Sequence, residues 1–173
     1  MRKIILSLSL LFAFVLFQNN QATAQNLKIG YVQVDSVASM MPAYKAASSE
    51  LEGLQKVIQK NLQGESQKFQ ARQSELQQTA KTQAQQEQAQ QELQALYAAL
   101  QEKEKQAEER FNKKQNDLLF PIYEEIREAI KVVGSENNFV LILNELDGTN
   151  SSYILYSAEG TDVTDLVIKK LGL

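Results

Sequence analysis

With 173 residues, the chain has room for one ordinary domain, or one domain and an extension. It contains neither histidine nor cysteine, which removes the commonest acid–base group, the thiol nucleophile, disulfides and the usual transition-metal ligands. No G-x-S-x-G or phosphate-cradling glycine loop takes their place, so neither an enzyme nor a cofactor is expected. Its 18 basic and 21 acidic residues form no basic block, which argues against nucleic acid as a partner.

The chain begins with Arg2 and Lys3, an apolar run from Ile4 to Phe17, a polar QNNQ and then Ala22-Thr23-Ala24. This order predicts a cleavable secretory signal peptide over residues 1–24, the apolar run being shorter than the ~20 residues that span a bilayer. The mature chain would carry a net charge of −5, with 11 basic and 11 acidic residues between Ala43 and Phe120 and the whole acidic excess on the flanks.

Leu27–Asp35 (LKIGYVQVD) is rich in β-branched and aromatic residues and reads as a strand, with Ile29, Val32 and Val34 close together. Pro42 suits the first turn of a helix. From there to Pro121 no proline occurs, and only Gly53 and Gly64 interrupt a composition of Gln, Glu, Ala, Lys and Leu. Apolar residues recur at Leu51, Leu54, Ile58 and Leu62, then at Phe69 and Leu76, and again at Leu93, Leu96, Tyr97, Leu100, Ala107 and Phe111. That is a narrow, interrupted coiled-coil stripe. One straight helix would be ~90 residues, or roughly 130 Å, long. Two antiparallel helices, turning near Thr79–Thr82 inside the tract QQTAKTQAQQEQAQQ (Gln77–Gln91), allow the stripes to face each other, and we expect such a hairpin over residues 42–118.

The stripe then thickens at Leu119, Ile122, Ile126, Ile130 and Val133, a core-facing helix face. Pro121 lies within it and predicts a kink or local break near Asn116–Leu118. Either Gly134 or Asn137-Asn138 could end this helix. Phe139–Leu143 (FVLIL) is apolar on both faces, like a strand buried on both sides. Asp147-Gly148 marks a turn, Tyr153–Tyr156 (YILY) reads as a third strand, and Thr161 or Asp162 caps a last helix bearing Val163, Leu166, Val167 and Leu171 on one face. Strands near both ends of the mature chain imply a single small sheet. So small a body, with strands apolar on both faces, calls for self-association.

Glu102–Glu109 (EKEKQAEE) reads as a solvated helix face rather than a metal site, and Asp162 and Asp165 as helix-start acids. Phe69, Leu76, Leu93, Tyr97, Leu100 and Phe111 are the candidates for contacting a bound partner, against the alternative that they only join the two helices.

The stretches KIGYVQVDSV, PAYKAASSELE, LLFPIYEEIREAIKVVGSENNFVLILN and YILYSAEGTDVTDLVIKKL, in this order and spacing, resemble the Skp/OmpH family of periplasmic chaperones. The resemblance implies an α+β fold: a small β-barrel-like trimerisation body, residues 25–41 plus 119–173, with a long antiparallel α-helical hairpin per protomer. It implies a homotrimer whose hairpins enclose a cavity for unfolded outer-membrane β-barrel proteins, without ATP or covalent chemistry. Ile29, Val32, Val34, Leu141, Leu143, Ile154 and Tyr156 would then belong to the trimer body, and Asn138 rather than Gly134 would end the long helix. The well-known members of the family are strongly basic. The neutral hairpin here argues against electrostatic capture and against membrane or lipopolysaccharide contact. The alternative function is a structural or adaptor coiled-coil protein of the cell envelope that binds one specific partner.

Overall fold

The computed structural model describes residues 27–146, 151, 152, 154, 156 and 160–173. The expected signal peptide, the Asp147-Gly148 turn, Tyr153 and Leu155 lie outside them. In chain order the elements are β1 (Ile29–Val32), α1 (Val34–Met40), α2 (Pro42–Thr79), α3 (Gln83–Glu136), β2 (Leu141–Asn144), β3 (Thr161–Asp162) and α4 (Thr164–Lys170).

The strands form one sheet in the order β2-β1-β3, with β1 parallel to both neighbours. Ile29 pairs with Leu141 and Tyr31 with Leu143, while Gly30 and Tyr31 pair with Thr161 and Asp162. Parallel strands cannot be joined by a tight turn and need a crossover. Between β1 and β2 that crossover contains the entire helical hairpin.

Two expectations are corrected here. The third strand of the sheet is Thr161–Asp162, and the described members of the strand expected at Tyr153–Tyr156, Ile154 and Tyr156, lie outside any strand. Only an isolated bridge, Leu146 with Ser152, forms nearby. Strand β1 also stops at Val32, and Val34 and Asp35 begin α1. Val34, Val37, Ala38 and Met41 stand three, four and seven residues apart, so one side of this short helix is apolar. Val37, Ala38 and Met41 are buried and Val34 packs against them.

The core lies where α1, α3 and α4 meet one face of the sheet. It joins Val32, Val37 and Ala38 to Ile122, Ile126 and Val133 of α3 and to Val163 and Val167 at α4. Gly30 is required by close approach, since a Cβ there would stand 3.0 Å from a Phe139 ring carbon and 3.2 Å from a Val163 methyl. Thr164, the buried polar residue, is satisfied: its hydroxyl donates to Asp162 Oδ1 at 2.6 Å and accepts from the Gln33 amide at 3.0 Å. The same Asp162 oxygen accepts from the Thr164 amide at 2.9 Å, while the N-cap position of α4 falls at Val163 and not at Thr161 or Asp162 as expected.

Helix α3 is helical through Pro121, so the local break expected there does not occur. A proline inside a helix removes one hydrogen bond and crowds the preceding turn, at a cost of about 3 kcal/mol, and Ile122 and Ile126, buried just after the proline, hold the helix to the core. Its other end closes at Asn138, a non-glycine residue at φ 55. Phe139 N–H donates to Gly134 at 2.9 Å and Asn138 N–H to Ser135 at 3.4 Å, the two bonds of a Schellman motif. Gly134 therefore lies inside the helix, and Asn138 takes the left-handed position.

Candidate functional site

The hairpin turns where expected. Ala80 ends α2, and Thr82 starts α3 with a capping box: its hydroxyl accepts from the Gln85 amide at 3.3 Å, and the Gln85 side chain accepts from the Thr82 amide at 3.0 Å. Three ion pairs cross between the helices. Lys114 reaches Glu50 at 2.7 Å, Lys103 reaches Glu65 at 2.5 Å, and Arg72 holds Glu92 through two hydrogen bonds of 2.6 and 3.0 Å. As residue numbers rise on one helix their partners fall on the other, so the helices are antiparallel and in a single register.

These pairs also account for gaps in the apolar stripe. Glu65 and Arg72 continue the three/four spacing of Leu62, Phe69 and Leu76, and Lys103 stands three residues after Leu100. At positions 65, 72 and 103 the seam carries a charge with a partner across it in place of a large apolar residue. The partners shift one another's titration: hydrogen bonds from Lys103 and then Lys68 hold the Glu65 carboxyl down to about 2. Arg72 lowers Glu92 and is itself raised, chiefly by its bond to Glu92. All are solvent-washed, and such pairs set register more than they add stability.

Of the six candidate contact residues, Leu76 is buried and Phe69, Leu93, Leu100 and Phe111 are half-buried, the facing element in each case being the other helix. Tyr97 differs. It is 53% exposed, with its ring 6.2 Å from that of Phe69. Two further apolar side chains, Val57 and Phe120, the latter 65% exposed, stand free of the seam. Sequence reading missed both because neither falls on the apolar stripe.

The sheet presents a second surface. Gly30, Val32 and Ile142 face the helices, so the alternate residues face away. Ile29, Leu141 and Leu143 are 41%, 48% and 42% exposed there, and Leu27 continues the row. Of the other residues expected in the trimer body, Val32 is buried within the chain's own core, Ile154 is half-buried and Tyr156 is exposed. Tyr123 of α3 donates to Asp35 of α1 at 3.4 Å, joining hairpin base to body. Burial, followed by the nearby Asp35, pushes its phenol up to about 12, so the group stays protonated across the physiological range. No group of His, Cys, Asp and Glu residues able to hold a metal occurs among the described residues.

The model of the family described as outer membrane protein, OmpH-like, matches residues 28–171. The chain belongs to the OmpH-like family. Among solved structures it is similar to an OmpH-like protein of Caulobacter crescentus CB15, proposed there to be an outer membrane chaperone, at 20% sequence identity and a TM-score of 0.58. The likeness covers 83% of this chain and 82% of that one, and it is a likeness of fold. No curated protein matches the chain. In this OmpH-like protein the family match takes in sheet, core and hairpin together, so the hairpin belongs to the fold itself.

Proposed function

We propose that this OmpH-like protein is an ATP-independent holdase of the periplasm, exported by a cleavable signal peptide, which binds unfolded outer-membrane β-barrel proteins inside a homotrimeric cavity. The observation that carries this reading is the bare apolar face of the sheet in a chain that belongs to the OmpH-like family. Parallel sheets are stable with both faces covered, and here Ile29, Leu141 and Leu143 lack a cover within the described chain. Copies packed through these faces would bury the row and bring three hairpins together around one axis.

Each hairpin then offers what a client chain of alternating apolar residues needs. Helices of 38 and 54 residues make a long wall, largely glutamine and alanine, with isolated apolar side chains at Val57, Tyr97 and Phe120. Such contacts are weak and non-directional, so they suit clients that share no sequence. Phe69, Leu76, Leu93, Leu100 and Phe111 act chiefly as the seam, and Tyr97 is the member of the original set that meets the client.

The test is to dilute a urea-unfolded outer-membrane porin into buffer with and without the mature protein. Suppressed light scattering at one trimer per porin is expected. Unchanged scattering would overturn the chaperone reading, and recovery of one folded envelope protein in place of many β-barrel precursors would favour an adaptor.

A further inference from the structure

The hairpin is neutral as a whole, but its charges are sorted by side. Two hollows of about 360 and 530 Å³ share Glu65, Lys68 and Lys103 and so form one groove along one side of the seam. Lys60, Lys68, Arg72, Lys103 and Arg110 line it, and its two carboxylates are already taken, Glu65 by Lys103 and Lys68 and Glu92 by Arg72. Across the seam, a hollow of about 220 Å³ has Glu104 and Glu108 on its rim, Ile58, Leu62 and Phe111 beneath, and no cation in its lining. Steps of three and four residues keep Lys103, Gln106 and Arg110 along one edge of α3 and Glu104 and Glu108 along the other, with Ala107 between. Lys60, Arg110, Glu104 and Glu108 form no ion pair among the described residues.

We propose that neighbouring copies dock hairpin to hairpin, the cationic edge of one (Lys60, Arg110) against the acidic edge of the next (Glu104, Glu108). This rests on the trimer reading and goes beyond a shared body. In a ring of identical subunits each protomer must offer two different, complementary surfaces, one to each neighbour. An isologous contact would instead set lysine against lysine. Rotation about an axis along the hairpins leaves height unchanged, so complementary groups must lie equally far from the body. Lys103, Glu104, Glu108 and Arg110 fall within about two turns of α3, roughly 10 Å of rise, and meet that condition. The half-buried Ile58, Leu62 and Phe111 add apolar area that exposed ion pairs alone would lack. The empty cage is therefore latched along its sides, and salt or an entering client releases it.

Because the chain has no cysteine, the contact can be read by cross-linking. Gln101→Cys is placed by helical spacing beside the acidic edge, and Gln106→Cys lines the cationic groove. The double variant, treated with a short bismaleimide at low salt, is expected to give covalent dimers and trimers on a denaturing gel, and each single variant only monomer. Linking should fall several-fold in about 1 M salt, where the screening length is ~3 Å, and with E104K/E108K. Adding K60E/R110E to that pair should restore it. Native mass is measured on the same samples. A trimer that links no better in the double variant than in the singles overturns the edge contact and leaves the shared body standing. A monomer overturns both. Failure to link, together with binding of a poly-glutamate peptide, would assign the groove to an anionic ligand instead.

Discussion

The body and the hairpin are held together in different ways. The body is small but dry: Val32, Val37, Ile126, Val163 and Val167 are essentially without solvent contact, and its buried threonine is fully bonded. The hairpin is of similar length, yet along α2 it buries only Ala47, Leu51 and Leu76. Its register comes from ion pairs that water reaches. Packing fixes one arrangement, because each buried side chain is constrained by many neighbours. A sparse seam with exposed pairs leaves small energy differences between bent and straight forms. A cage for clients of unequal size needs that division, a rigid base and adjustable walls.

The largest break in the comparison should come from the body. Ile126→Ala removes a side chain that is 1% exposed at the centre of the core, and it is expected to cost about 2–5 kcal/mol. Urea unfolding followed by near-UV signals from the body tyrosines would measure it. A loss under ~1 kcal/mol would mean that the body is as loosely held as the hairpin. Gly30→Ala should follow at about 1–3 kcal/mol, since the added methyl meets a Phe139 ring carbon at 3.0 Å and a methyl of the fully buried Val163 at 3.2 Å. An unchanged unfolding midpoint would show that Phe139 is free to move.

The hairpin should respond in the opposite sense. Gly53 and Gly64 sit inside α2 with nothing within 4 Å of an added Cβ. Replacing either with alanine should raise helix stability by about 1 kcal/mol. Hydrogen exchange along α2 should slow accordingly, while the body amides stay as they were. If exchange in the body slowed equally, the two regions would unfold as one cooperative unit and the contrast drawn above would fail.

The same contrast decides what could be read from the sequence. The hairpin was legible because it is local: Pro42 at its start, a helix-forming composition unbroken by proline, and a stripe interrupted in the glutamine tract. The close at Asn138 was legible as one of two options, and the left-handed backbone there decides between them. The sheet was less legible because its pairing is non-local. Thr161–Asp162 carries no apolar alternation, and it is a strand only because β1 lies alongside to bond it. YILY has every strand-forming residue and no place in the sheet among its described members. Helix α1 did leave a signal, the spacing of Val34, Val37, Ala38 and Met41, hidden by the strand pattern that runs into it. Of the candidate site, the seam leucines were visible as a stripe. The charges completing that seam and the sorting of its edges were not, because a search for apolar period passes over Glu65, Arg72 and Lys103 as gaps.

The smallest effect tests those charges. Glu65 is held down to about 2 from its ordinary 4.5, first by Lys103 and then by Lys68. A carboxyl whose folded value is depressed stabilises fully above its unfolded value, and that contribution is lost as pH falls through the folded value. The window therefore runs from about 4.5 down to about 2. In wild-type protein, amides of α2 and α3 near Glu65 and Lys103 should be slightly better protected than in Glu65→Gln at neutral pH. That difference should shrink through the window and vanish at its lower end, whereas body amides should show none at any pH. Because the pair is exposed, moderate salt should reduce the difference at neutral pH as well. A difference that held steady across the window would assign the protection to the shape of the side chain at position 65. The hairpin would then be fixed by packing, as the body is, and its walls would be less free to adjust than the exposed pairs imply.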